Sequence, residues 1–141
     1  MEKKHLFQIL ARADRDAVIR LGKELQEQYP VTVVKSPEKA LTMIKMREPV
    51  KQSLFYLGET IITEAVVSLD GTVGNAVTMG DDFEKTLYMA VIDAAENKGV
   101  FGKESLLLEW EVQQNVRIEK ENAMFQKTKV DFHSMDTEAA E

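Results

Sequence analysis

Two carboxylate pairs, Glu59 with Glu64 and Asp82 with Asp93, are of the residue type that performs acid–base catalysis. Such a pair divides the work of general acid and general base only when its two environments push the pKa values apart. The chain holds 24 acidic residues, so closely spaced carboxylates arise by chance. We therefore interpret these four as surface or helix-capping groups and predict no catalytic residue.

The other residue types that commonly do chemistry are scarce. His5 and His133 stand near opposite ends of the chain, without a third ligand at a recognisable spacing, and predict no metal site. No Gly-x-Ser-x-Gly sequence occurs. Because the chain has no cysteine, a thiolate nucleophile, a disulfide framework and a zinc or iron–sulfur site built on thiolates are excluded.

Two glycine-containing segments invite comparison with phosphate-binding loops. The residues after Gly74 are β-branched and do not start the helix whose amides would hold a phosphate, so 70–74 predicts a tight hairpin turn. Gly80 does precede a predicted helix, but the carboxylates of Asp81 and Asp82 would repel a phosphate. We predict ordinary helix capping there, with Asp81 as the N-cap.

Positive charge is concentrated in one segment of an otherwise acidic chain. The formal net charge is −6, which argues against a nucleic-acid-binding surface. Residues 35–51, however, hold five cations and two anions. A strand over 40–47 would place Lys45 and Arg47 on one face at its far end, although the residue types leave a helix open. We predict that a phosphate-bearing ligand would contact Lys45 and Arg47.

Length and hydropathy limit the class of protein. The 141 residues fit one domain with a single core, which we place at 1–135, and the acidic tail 136–141 is expected to have no fixed structure. No apolar run approaches the roughly 20 residues that cross a bilayer, and no secretion signal is recognisable. We expect a cytoplasmic protein without membrane or nucleic-acid partners.

The hydrophobic pattern predicts an α+β fold. Apolar residues at helical spacing before and after Asp14, a candidate N-cap, predict an N-terminal helical hairpin that ends at Tyr29-Pro30. β-Branched and aromatic residues then predict an antiparallel meander of about four to five strands. Its strand segments are residues 31–34, 40–47, 53–57, 61–69 and 72–79.

Two C-terminal helices are predicted over residues 81–97 and 104–126. The first has one apolar face toward its own sheet, while Tyr88 and Ile92 point elsewhere. The second carries apolar residues on several sides. One small domain cannot cover all of these side chains, so we predict that Tyr88 and Ile92 belong to an interface with a partner.

A set of short motifs occurs in a fixed order along the chain. They are Gly58-Glu59, Asp70-Gly71-Thr72-x-Gly74, Gly80-x-Asp82, Ile92-Asp93-Ala94 and Thr128-x-Val130-Asp131-Phe132. None is specific alone, but in this order the sequence resembles the PhnG family, small subunits of the bacterial carbon–phosphorus lyase system. Glu64 and Asp81 stand where the family pattern has arginines, and His133 stands where it has an aromatic residue.

The resemblance implies an accessory role in phosphonate catabolism. PhnG-like proteins form a core assembly with PhnH-, PhnI- and PhnJ-like subunits, in which paired copies of each subunit associate, so contacts between copies of this chain are also expected. With a PhnL-like ATPase, such a protein supports transfer of methylphosphonate to ATP. Adenine leaves, which gives α-D-ribose 1-methylphosphonate 5-triphosphate. ATP is thus a substrate of the complex, and no cofactor is expected on this chain.

The last motif has two interpretations. Val130 and Phe132 either dock onto the chain's own core or form a contact strip for another subunit, with Phe132 as the apolar anchor and Lys129 or Asp131 as paired charges. Two other functions also remain open. One is a free-standing small-molecule enzyme with a chorismate-lyase-like sheet over a pocket, and the other is a regulatory ligand-binding domain.

Overall fold

Along residues 1–128 of the chain, two helices are followed by three strands and then by two more helices. The computed structural model describes residues 1–128. Within that part of the chain, the order is α1 (Lys3–Arg12), α2 (Arg15–Gln28), β1 (Val31–Arg47), β2 (Leu54–Leu69), β3 (Thr72–Met79), α3 (Phe83–Lys98) and α4 (Glu104–Thr128). The α+β class is confirmed, as are the two N-terminal and the two C-terminal helices. The tail at 136–141 lies outside the described residues.

Within residues 1–128 the sheet has three strands, so the prediction of four to five was wrong. β1 continues through Ser36 and Pro37, where a break was predicted, because bulges between Val33 and Glu38 absorb the extra residues. Pro37 is tolerated there because β1 lies at the edge of the described sheet, where a missing N–H need not break the ladder. β2 likewise continues through Gly58.

The meander itself is confirmed. β1 pairs with β2 and β2 with β3, in both cases antiparallel. The turn between β2 and β3 has positive φ angles at Asp70 and Gly71, 46° and 85°, as the predicted two-residue hairpin turn requires.

Helix α3 lies in the centre of the molecule, between the sheet and α2. Its apolar side chains on more than one face are therefore buried by the chain itself. Gly22 of α2 makes the close contact possible, because a Cβ at that position would lie 2.5 Å from Tyr88 Cδ1. Asp82, and not Asp81 as predicted, is the N-cap of α3, and it accepts the Lys85 N–H at 3.2 Å.

Two of the recognised motifs, the one that ends at Gly74 and Ile92-Asp93-Ala94, meet where α3 packs on β3. We call this contact the joint. A Cβ on Gly74 would lie 2.3 Å from the backbone nitrogen of Ala94, so only glycine permits this approach. Next to it, the fully buried Asp93 accepts the Asn75 N–H at 3.0 Å and pairs with Lys3, whose Nζ is 3.0 Å from Oδ1. These motif residues therefore hold the fold together.

The first half of α4 closes the core, and its second half extends past it. Leu107 is fully buried, and the Gln114 side chain donates to Ile9 O of α1 at 3.0 Å. Arg117 is the last residue of α4 that bonds to α1, at Arg12 O. Beyond Ile118 every residue of α4 is exposed.

Candidate protein interface

Strands β1 and β2 extend well beyond the rest of the sheet. β3 pairs with β2 only as far as Ile62, and the Gly80 N–H bonds to Ile61 O before the chain turns away with a φ of 93°. β1 and β2 remain paired as far as Arg47 and Leu54. We call residues 41–61 the arm. A two-stranded ribbon of this kind is marginally stable alone in water, so the arm is suited to being completed by another molecule.

The arm is apolar on its outside. The cross-strand neighbours Leu41 and Ile61 are 67% and 49% exposed. They lie on the face that carries the core-facing side chains nearer the helices, since Thr63 on the same face is fully buried. The other large exposed apolar side chains of the arm are Met43, Met46, Val50, Leu54, Phe55, Tyr56 and Leu57. Exposed apolar side chains in this number are typical of an interaction site.

A shallow cleft lies at the base of the arm. Its volume is about 390 Å³, and it is lined by Lys39, Ala40, Leu41 and Ile61. The lining is mostly apolar, with one ammonium group at the margin. This arrangement suits an apolar side chain of a protein partner better than a small charged ligand.

The basic segment predicted from the sequence is partly neutralised. Lys35 lies 3.0 Å from both Glu64 and Glu38, and the hydrogen bond to Glu64 is the main cause of the raised pKa of Lys35. Lys39 pairs with Asp81 at 3.9 Å. Glu64 and Asp81, the two anions at family arginine positions, thus offset the charge of the neighbouring lysines.

Lys45 and Arg47 lie near the tip of the arm and are both exposed. The Lys45 Nζ stands 5.5 Å from the centre of the Tyr56 ring, at cation–π distance. Arg47 donates to Gln52 O at 3.1 Å, which fixes the turn between the strands. The predicted phosphate-contact residues are therefore brought close together, on a projection and not in a closed pocket.

Three of the four carboxylates named from the sequence, together with His5, take part in separate structural contacts. Glu64 is paired with Lys35, Asp82 caps α3 and bonds to Arg15, and Asp93 is buried in the joint. His5 is bonded to Glu111. Within residues 1–128, no cluster of three or more potential ligands is arranged to hold a metal ion.

The residues that the sequence predicted for a partner interface do not lie in one described surface. Ile92 is fully buried inside the chain, and Tyr88 packs against the core next to Gly22. Lys129, Asp131 and Phe132 lie outside the described residues. Exposed apolar side chains are present on the arm and on one stripe of α4, which consists of Leu108, Val112 and Val116. The other large ones that are exposed within residues 1–128 are Val33, Val34, Val73, Val77, Met79, Phe83, Met124 and Phe125.

The sequence argument missed the arm. The signal was present in 40–47, where Leu41 and Met43 occupy one face of the strand and Ile44 the other. A surface strand of an ordinary sheet is apolar on one face only. Apolar side chains on both faces of a predicted strand, next to a predicted edge, would have pointed to this segment.

Comparison with known proteins identifies a family. The family model described as phosphonate metabolism protein PhnG matches residues 1–136. No curated protein matched the chain. Among residues 1–128, no helix combines the length and the hydropathy that a membrane crossing requires.

Proposed function

Since the chain belongs to the PhnG family of phosphonate metabolism proteins, we propose that it is an accessory, interface-forming subunit of a carbon–phosphorus lyase complex. In this role it supports the transfer of methylphosphonate to ATP, with loss of adenine, to give α-D-ribose 1-methylphosphonate 5-triphosphate. Its partners are PhnH-, PhnI- and PhnJ-like subunits and a PhnL-like ATPase. The isolated chain is expected to be inactive.

The observation that carries this proposal is the exposed apolar arm. Val50 at its tip is 85% exposed, and Leu41 at its base is 67% exposed. Each large aliphatic side chain that moves from water into an interface contributes about 1.5 to 3 kcal/mol. A free-standing protein gains nothing from leaving so many of them in water, whereas a subunit of a permanent assembly buries them against its partner.

The chemistry of the described residues supports the same role. Asp82 and Asp93 have separate structural tasks, Glu64 is paired with Lys35, and residues 1–128 hold no cluster that would bind a metal. A sheet over a ligand pocket, as in the chorismate-lyase-like alternative, would need space on its inner face. At Gly74 that face is in direct contact with α3.

In this proposal, Lys45 and Arg47 are the residues of this subunit that would contact the substrate. A projecting arm can carry two cations into a site formed by another subunit, where they would stabilise the triphosphate of ATP. This contribution is secondary in the proposal, since the interface role does not depend on it.

Co-purification tests the proposal. The chain is co-expressed with PhnH-, PhnI- and PhnJ-like proteins and analysed by size-exclusion chromatography with light scattering. We expect a stable complex that contains this chain and that forms the triphosphate product when the ATPase is added. A soluble monomer that ignores all of these proteins would contradict the proposal, as would product formation by the isolated chain.

A further inference from the structure

We propose that the partner docks by adding a strand to the open edge of β2, along residues 54–60. This inference rests on the proposed function and specifies how the subunit is held. The added strand would pair with β2 beyond the point where β3 ends at Met79, on the same side of β2. It would make the arm a three-stranded sheet.

The hydrogen-bonding pattern shows which backbone groups of β2 are open. The bond from the Gly80 N–H to Ile61 O is the last rung between β3 and β2. Because successive residues of a strand bond to opposite sides, the N–H and C=O of Glu59 point away from β1. At the tip, the Glu48 N–H bonds to Ser53 O, so the backbone carbonyl of Ser53 faces β1. By the same alternation, the N–H and C=O groups of Leu54 and Tyr56 point away from β1.

The two edges of the arm differ in their protection against pairing. β1 carries Pro37 and Lys39 just before the arm and Lys45 and Arg47 within it. Lysine and proline are the residues that block unwanted strand addition at natural sheet edges. The β2 segment 54–60 has neither, and Glu59 is its one charged residue. The difference favours β2 as the edge that accepts a strand.

Gly58 is part of the open segment. A Cβ at this position would meet no atom within 4 Å, so the face toward which it would point is open. Next to it, β2 has a one-residue register shift at Leu57, between the pairs Ile44–Gly58 and Lys45–Tyr56. Shifts of this kind increase the local twist, so an added strand would have to follow a twisted edge.

Charge identifies the occupant as an extended segment of a different protein, apolar at alternate residues and acidic where it passes Tyr56. The Lys45 ammonium stands over the Tyr56 ring, beside the open edge. A second copy of this chain fits less well. Symmetric antiparallel pairing about Leu57 would place Gly58 of the copy opposite Tyr56, and Glu59 opposite Phe55. Both copies would also carry a net charge of −6.

A pair of proline substitutions separates the two edges. Met43 and Glu59 are directly opposed, one on each edge of the arm. Glu59→Pro removes an outward N–H from β2, and Met43→Pro removes the matching N–H from β1. Glu59→Ala keeps the N–H and loses only the carboxylate. All three lie outside the core, so circular dichroism and the thermal midpoint should match the wild type.

We expect Glu59→Pro to weaken binding to the co-purified partner by about 10- to 100-fold, because several edge hydrogen bonds depend on this residue. Met43→Pro and Glu59→Ala should bind within about threefold of the wild type. The readout is titration of the purified full chain into its partner. Amide hydrogen exchange of 54–60 in each complex is the second readout.

Each other outcome has a defined meaning. Wild-type affinity for Glu59→Pro would overturn the edge inference and leave the proposed function intact. Loss of binding only in Met43→Pro would place the partner at the β1 edge. Equal loss in both proline variants would place the partner on the faces of the arm. Either result overturns the inference. A dimer of the chain alone that Glu59→Pro dissociates would make a second copy the occupant. Failure of the wild type to bind would overturn the proposed function together with this inference.

Discussion

The joint between α3 and β3 and the arm formed by β1 and β2 belong to the same sheet, but they differ in how closely they are packed. In the joint, Gly74 admits the backbone of Ala94, and the buried Asp93 has partners on two sides. In the arm, a side chain added to Gly58 would touch nothing, and Leu41 remains two-thirds exposed. The chain therefore covers one part of its sheet with α3 and leaves the arm open, where we propose that a partner binds.

This difference accounts for the distribution of the recognised motifs. The residues from Asp70 to Gly74 and from Ile92 to Ala94 meet in the joint, where they determine how closely helix and sheet approach. Gly58-Glu59 lies in the arm, at the edge that we assign to a partner. In this chain, Gly74 and Asp93 thus serve the fold, whereas the role that we propose for Gly58-Glu59 is in assembly.

The largest effect is expected from a glycine substitution in the joint. Gly74→Val would drive a branched side chain into the backbone of α3, where a Cβ alone already lies 2.3 Å from Ala94 N. We expect the free energy of unfolding to fall by about 3 kcal/mol or more. The matched control is Gly58→Val in the arm, which should stay within about 0.5 kcal/mol of the wild type. Denaturant unfolding of both variants checks this, and equal losses would erase the distinction between the regions.

A smaller effect, on binding and not on folding, is expected from the exposed face of the arm. Replacing both Leu41 and Ile61 with threonine keeps strand-forming residues and removes apolar contact area. We expect partner affinity to fall about tenfold or more while the thermal midpoint is maintained. The control is Val73→Thr with Val77→Thr, which changes two exposed valines of β3 outside the arm. A larger loss of affinity in the control would move the interface to β3.

The smallest effect is expected at the tip. Lys45→Ala with Arg47→Ala should leave the complex assembled and slow triphosphate formation by about threefold to tenfold, because two charge-assisted contacts to phosphate are lost. Arg20→Ala with Lys23→Ala, two exposed cations of α2, is the matched control. Unchanged product formation in the reconstituted complex would remove the phosphate role and leave the arm as a docking element only.

The helices were predictable because their signals are local. Apolar spacing, the Pro30 stop and Gly99, with its φ of 79°, all lie within a few residues of the boundaries they set. The tight turn at Asp70-Gly71 is local in the same sense. The number of strands was not predictable in this way. Whether Pro37 ends a strand depends on whether that strand is central or at an edge, which is a property of the whole sheet.

The sequence indicated surplus apolar side chains but not where on the fold they lie. The excess of apolar side chains is visible in the composition, but the sequence does not show which surface of α3 another helix will cover. Gly22, 66 residues before Tyr88, is what allows α2 to do so. The arm arises because β3 stops at Met79 while β2 begins at Leu54. That mismatch in strand length becomes visible only once the register is known.

Amide hydrogen exchange of the free chain and of its complex tests the central claim most directly. In the free chain, amides of the arm are expected to exchange at least about 100-fold faster than those of α3, because the arm lacks both a third strand and a covering helix. In the complex, residues 54–60 should become protected while α3 is unchanged. An arm as protected as α3 in the free monomer, or one that still exchanges rapidly in the assembled complex, would contradict the account.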